Sequence, residues 1–159
     1  YPTGANIAVD DPAMFPFLEI ASREKLPILI GDVGTPEGED RLYAMADQFP
    51  QAMIIHAHMG GTSGGDTFGA ILRARRHPNV FLDTTSSHSE SRLIEEAVRV
   101  VGAERVLFGS DYPLLNIYGQ IAKVRSASIS SQEKELILGG NMHSMVKDRL
   151  QDGRARRGA

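Results

Sequence analysis

The chain has 159 residues, 42% hydrophobic and 23% charged, enough for one domain with a core of its own. A formal net charge of −3 provides no basic field, which argues against nucleic acid as a partner, and no apolar run approaches the roughly 20 residues that span a bilayer. With no cysteine there is neither a disulfide framework nor a thiolate metal site, and with no signal peptide in view a cytoplasmic setting is the expectation.

Helical and extended patterns alternate along the chain. Asp11-Pro12 reads as an N-cap with proline at the first helical position, followed by Met14, Phe17, Leu18 and Ala21 at helical spacing. Pro27-Ile28-Leu29-Ile30 is a short apolar strand ending at Gly31. Leu42, Met45, Ala46 and Phe49 define a second helix, and Met53-Ile54-Ile55 opens the next strand. Phe68, Ile71, Leu72 and Arg75 mark a third helix that stops at His77-Pro78. Val80-Phe81-Leu82 is a strand ending at Asp83, and Ile94, Ala97, Val98 and Val101 form a helix closed by Gly102. Val106-Leu107-Phe108 is the last strand. Beyond it Ile117, Ile121 and Val124 suggest a helix, and Ser130 to Glu133 forms a capping box before Leu136-Ile137-Leu138. Gly139-Gly140 is expected to break that helix, with Asn141 to Leu150 as the final one. Arg154-Ala155-Arg156-Arg157 reads as a solvated, disordered tail over 151–159.

Continuously apolar strands alternating with helices mean an α/β fold with a parallel sheet covered by helices. Four strands are visible, and a complete (β/α)8 barrel needs at least about 200 residues. The chain is therefore either a small open sheet or half a barrel. The first reading, as a flavodoxin-like domain, is disfavoured because no phosphate-binding loop follows the first strand.

The polar residues at the strand ends carry the chemistry. Asp111 follows Phe108-Gly109-Ser110, and Pro113 then stops the strand; His56 and His58 follow Ile54-Ile55. In α/β proteins the C-terminal tips of the strands hold the site. Two residues apart on a strand, His56 and His58 would share a face. Two imidazoles and a carboxylate suit a metal-assisted or an acid/base site; the competing reading is hydrogen-bonded core histidines and an aspartate that caps its own loop through an Asx-turn. Asp83 at the preceding tip reads equally as structural or functional, and Tyr112 as a pocket wall or a packing residue. Gly60-Gly61-Thr62-Ser63-Gly64-Gly65 lacks the lysine and spacing of a P-loop and reads as a flexible loop. His77 reads as a surface residue, His88 as a solvated loop residue and His143 as structural.

Five motifs occur in order: Leu26-Pro27-Ile28-Leu29-Ile30, Ile55-His56-Ala57-His58-Met59-Gly60-Gly61, Asn79-Val80-Phe81-Leu82-Asp83-Thr84, Arg105-Val106-Leu107-Phe108-Gly109-Ser110-Asp111-Tyr112-Pro113 and Ile137-Leu138-Gly139-Gly140-Asn141. Over about Asp11 to Leu150 the chain resembles the amidohydrolase-related branch of the metal-dependent hydrolase superfamily. The resemblance implies a distorted TIM barrel of which residues 1–150 supply strands five to eight. It implies that His58 is the strand-six histidine, an acid/base or electrostatic group, and that Asp111 is the strand-eight aspartate, a metal ligand. The family's strand-one His-x-His is missing with strands one to four. Its strand-five histidine is replaced by Gly31-Asp32, so Asp32 is the candidate for that place through a one-residue bulge.

The catalytic candidates are thus His58 and Asp111; the substrate-binding candidates are Asp32, Asp83 and Tyr112; the metal-ligand candidates are Asp111 and His56, with zinc the first expected cation. The expected activity is hydrolysis or non-oxidative decarboxylation of a small carboxylated substrate. The alternative is a catalytically degenerate half-barrel serving as a binding or scaffold subunit. Half a barrel has open edges and unopposed inward side chains, so a homo-oligomer, or a partner chain supplying strands one to four, is expected.

Overall fold

The structure is a computed structural model that describes residues 7–31, 35–61, 66–86 and 91–147. Asp32, Thr62 to Gly65, His88 and the basic tail lie outside the described residues. Asp11 accepts a hydrogen bond from the Ala13 N–H at 2.8 Å and starts a short 3-10 turn, Pro12–Met14, that runs into α1 (Phe15–Arg23). Then follow β1 (Pro27–Ile30), α2 (Pro36–Gln48), β2 (Met53–His56), α3 (Thr67–Ala74), β3 (Val80–Asp83), α4 (Arg92–Val101), β4 (Val106–Leu107), α5 (Ile117–Ser126) and α6 (Ser131–Glu135). The capping box at Ser130 and Glu133 is present.

All four strands are parallel and sit in chain order, β1-β2-β3-β4. Register sets the two faces. Ile30, His56 and Leu82 are neighbours across the sheet, and Leu82 pairs with Val106. Together with Ile54 and Val80 they face Leu42, Met45, Ile71, Ile94 and Ala97 of the covering helices, where the apolar core lies. The opposite face carries Leu29, Ile55, Phe81, Asp83 and Leu107. Leu29 is 61% exposed there, beside a cavity of about 320 Å³ lined by Ile55, Asp83, Leu107, Phe108 and Met142. β1 and β4 are the edges of the sheet, so this is an open half of a (β/α) barrel whose inner face is exposed at Leu29 and closed over Ile55 and Leu107.

The last motif is a clamp on β4. Gly139 breaks the helix as expected: its φ of 169° and ψ of −22° are not helical, so the turn Leu136–Gly140 is kinked there and a further helical stretch runs over 141–147. The buried Asn141 donates to the carbonyls of Ala103 and Val106 at 2.7 and 2.8 Å, and the Phe108 N–H donates to Ile137 O at 2.9 Å. The wider turn lets the side chain of Asn141 and the carbonyl of Ile137 reach the two ends of one short strand. No helix among the described residues is long and apolar enough to cross a membrane.

Candidate active site

His56 and His58 do not share a face. β2 ends at His56, and the next residues form a tight turn, Ala57–Gly60, with His58, Met59 and Gly60 in succession at φ of 58°, 49° and 74°. Left-handed backbone costs an L-residue roughly 1–2 kcal/mol, so the alternation of a strand stops here. His56 turns to the helix side. Its Nδ1 lies 3.2 Å from the Tyr43 hydroxyl, and its Nε2 lies 3.4 Å from Oε1 of Glu39, itself fully buried in the first turn of α2. Burial, reinforced by the Glu39 carboxylate, raises the Tyr43 phenol far above its ordinary pKa. It therefore keeps its proton, donates it to Ala70 O at 2.7 Å, and accepts from Nδ1–H of His56. Both ring nitrogens of His56, the expected metal ligand, face Tyr43 and Glu39 of α2, on the covered side of the sheet.

His58 packs against the tip of β3. It is buried and lines a cavity of about 10 Å³ with Met59, Thr67, Thr84, Thr85, Ser86 and Lys123, room for about one water. The tip itself is tightly tied. Thr84 N–H donates to Leu107 O at 2.8 Å, and Thr85 N–H donates to Oδ1 of Asp83 at 2.5 Å. The Lys123 ammonium, buried on α5, donates to Thr84 O at 2.7 Å, and Gln120 Nε2 donates to Ser86 O at 3.0 Å. Burial lowers the Lys123 pKa from its usual value, opposed by the Asp83 carboxylate.

Asp111 lies past the end of β4 at a φ of 51°, a conformation in which Asp and Asn are enriched. The Tyr112 N–H is taken by the Ser110 hydroxyl at 3.3 Å, so the loop turn is made by the serine. Tyr112 is 71% exposed. His58, Asp83 and Asp111 thus stand at or just beyond the C-terminal ends of β2, β3 and β4. Strands two apart are about 10 Å apart, and Asp111 is not among the residues lining the small cavity at His58. A molecule placed over Asp83 would lie between the two.

This arrangement is accompanied by a sequence match. The family model described as amidohydrolase matches residues 4–143. The chain belongs to the amidohydrolase family. No curated protein matches it significantly. Solved structures share the fold. A dihydroxybenzoic acid decarboxylase from Polaromonas with bound manganese and 2-nitroresorcinol is 19% identical, with a TM-score of 0.67 over 89% of this chain and 55% of that one. A TIM-barrel protein from Bordetella bronchiseptica has a TM-score of 0.71 at 19% identity, over 89% and 52%. An amidohydrolase from Burkholderia multivorans with bound zinc has a TM-score of 0.68 at 12% identity, over 86% and 58%. The chain spans a little over half the length of these three proteins.

Manganese and zinc in those relatives raise the question of whether the residues here fit a cation. Among the described residues no three His, Asp or Glu side chains come together to hold one. Asp111 offers a single carboxylate, and the ring of His56 is turned away, so these residues alone do not make a metal site.

Four residues of this amidohydrolase half escape sequence reasoning: Glu39, Tyr43, Gln120 and Lys123. For the last two a signal exists. Gln120, Lys123, Val124 and Ala127 recur at helical spacing, so a glutamine and a lysine fall inside the buried stripe of α5. Of the remaining histidines, His77 is mostly buried, with Nδ1 2.7 Å from Arg73 O, and His143 is exposed.

Proposed function

We propose that this chain carries one half of the active site of an amidohydrolase-type enzyme acting on a small carboxylated substrate. The reaction is hydrolysis of a lactone, ester or amide, or non-oxidative decarboxylation. The observation that carries the reading is the succession His58, Asp83, Asp111 at the C-terminal ends of three adjacent parallel strands. In hydrolysis Asp111 is the base that takes a proton from the attacking water, and His58 stabilises charge developing on the carbonyl oxygen. In decarboxylation the carbon that loses CO2 must be reprotonated, and the same two groups are the acids at hand. Asp83 orients the substrate, and Tyr112 is an outer wall. Asp111 would also offer a carboxylate to a divalent cation whose other ligands the complementing half would supply.

The exposed Leu29 on the inner face and the edge strands β1 and β4 are what four more strands would cover. A second copy of this chain, or a polypeptide carrying strands one to four, closes the barrel in this reading. Sedimentation velocity should give an assembly larger than one chain; a compact, well-folded monomer would refute it.

Turnover tests the chemistry. Dihydroxybenzoates, the substrates of several structural relatives by name, and simple lactones are the first compounds to offer the purified assembly. Release of CO2 or ring opening supports the enzyme. The lack of a three-residue metal cluster among the described residues favours a second reading, a catalytically silent scaffold. That reading expects no turnover, and ligand affinity unchanged by Asp111→Asn.

A further inference from the structure

Glu39 is a side chain with no place in the chemistry above and an unusual setting. It is fully buried, and neither carboxylate oxygen has a hydrogen-bond partner among the described residues; Oε1 lies 3.4 Å from His56 Nε2. On its other side the carboxylate presses on the backbone of Gly60: a β-carbon there would lie 2.5 Å from Glu39 Oε1 and 2.9 Å from Ala70 Cβ. Glu39 therefore touches both ends of the turn that presents His58, the residue before it and the glycine that closes it. His56 is pinned in turn by Tyr43 on α2, whose hydroxyl reaches Ala70 on α3. Three successive left-handed residues persist only where their surroundings over-determine them, and these contacts supply the determination.

We propose that Glu39 is a positioning residue for His58: its buried carboxylate, wedged between the His56 ring and the Gly60 backbone, holds the left-handed turn in the one shape that points the His58 imidazole at the β3 tip. Gly60 is glycine because the carboxylate occupies the space of a side chain and because φ is 74°. The inference rests on the reading of His58 as the site's imidazole.

The test is the NMR spectrum of the histidine rings and backbone amides of the full chain. Glu39→Ala should shift the His58 ring and Gly60 amide signals while those of His143, on the last helix, stay in place. Glu39→Gln keeps the length and a hydrogen-bonding end and should leave His58 where it is in the unaltered protein. If Glu39→Ala does not fold, Glu39→Asp carries the test, because a carboxylate one methylene shorter withdraws from Gly60 and should shift His58. His58 signals unmoved in a folded Glu39→Ala or Glu39→Asp protein, or moved equally by Glu39→Gln, would overturn the proposal. Because the spectrum reads placement and not turnover, a shift in protein that turns over nothing would sink the proposed function and leave the positioning role standing.

Discussion

Replacing Gly109 by alanine is expected to lower the free energy of unfolding by about 3 kcal/mol, the upper range for overpacking. The added methyl would collide with Thr85 Oγ1 and with both carboxylate oxygens of Asp83. None of these groups can retreat cheaply. Asp83 accepts from the buried Thr85 N–H, and the N–H of Gly109 itself donates to Thr84 Oγ1 at 3.3 Å. Pushing the carboxylate aside leaves a buried donor unpaired, which costs roughly 1–3 kcal/mol. Gly119 is the control. It lies in α5, where a methyl added to it would meet nothing within 4 Å, so Gly119→Ala should stabilise by about 0.5–1 kcal/mol through helix propensity. Urea unfolding of the two variants checks both signs. An unchanged midpoint for Gly109→Ala would mean that the tips of β3 and β4 are not packed as described.

Asp111→Asn is expected to lower turnover by about 10²–10⁴-fold, the contribution of a positioned acid/base group, with unfolding free energy changed by less than about 0.5 kcal/mol. The choice of asparagine follows from the backbone. At a φ of 51° an alanine would add left-handed strain of roughly 1–2 kcal/mol and confound chemistry with folding, whereas asparagine accepts that conformation and removes only the charge. The comparison needs kcat and a urea midpoint for Asp111→Asn and for the unaltered protein. A drop in kcat matched by an equal drop in stability would mark Asp111 as a loop-forming residue.

The elements were legible because their signals are local. Asp11-Pro12 and Ser130 to Glu133 are caps that act within four residues, and the apolar strands Pro27–Ile30 and Val80–Asp83 are bounded by turn residues. The motif order also led to the half-barrel, which the family match and the parallel sheet bear out. What failed was the two-residue periodicity at His56 and His58. That rule presumes the strand continues, and whether it does depends on three φ angles set by Glu39, which lies on another element. Glu39 itself was unreadable, because acidic residues in the first turn of a helix are ordinarily solvated and favoured by the helix dipole. Gly139-Gly140 was legible as a helix break because paired glycines weaken a helix locally. What no local signal carried is that Asn141 and Ile137 tie the chain to β4 on both sides of that kink.

His58 and Asp111 stand on strands separated by β3, and whether they serve one substrate is measured most directly by a double-mutant cycle on turnover with His58→Gln and Asp111→Asn. Groups that act as a unit lose most of their effect together. The expected result is a double variant no slower than about the worse single one. Losses that multiply, as for two independent sites, would contradict a shared site at the mouth of this half-barrel.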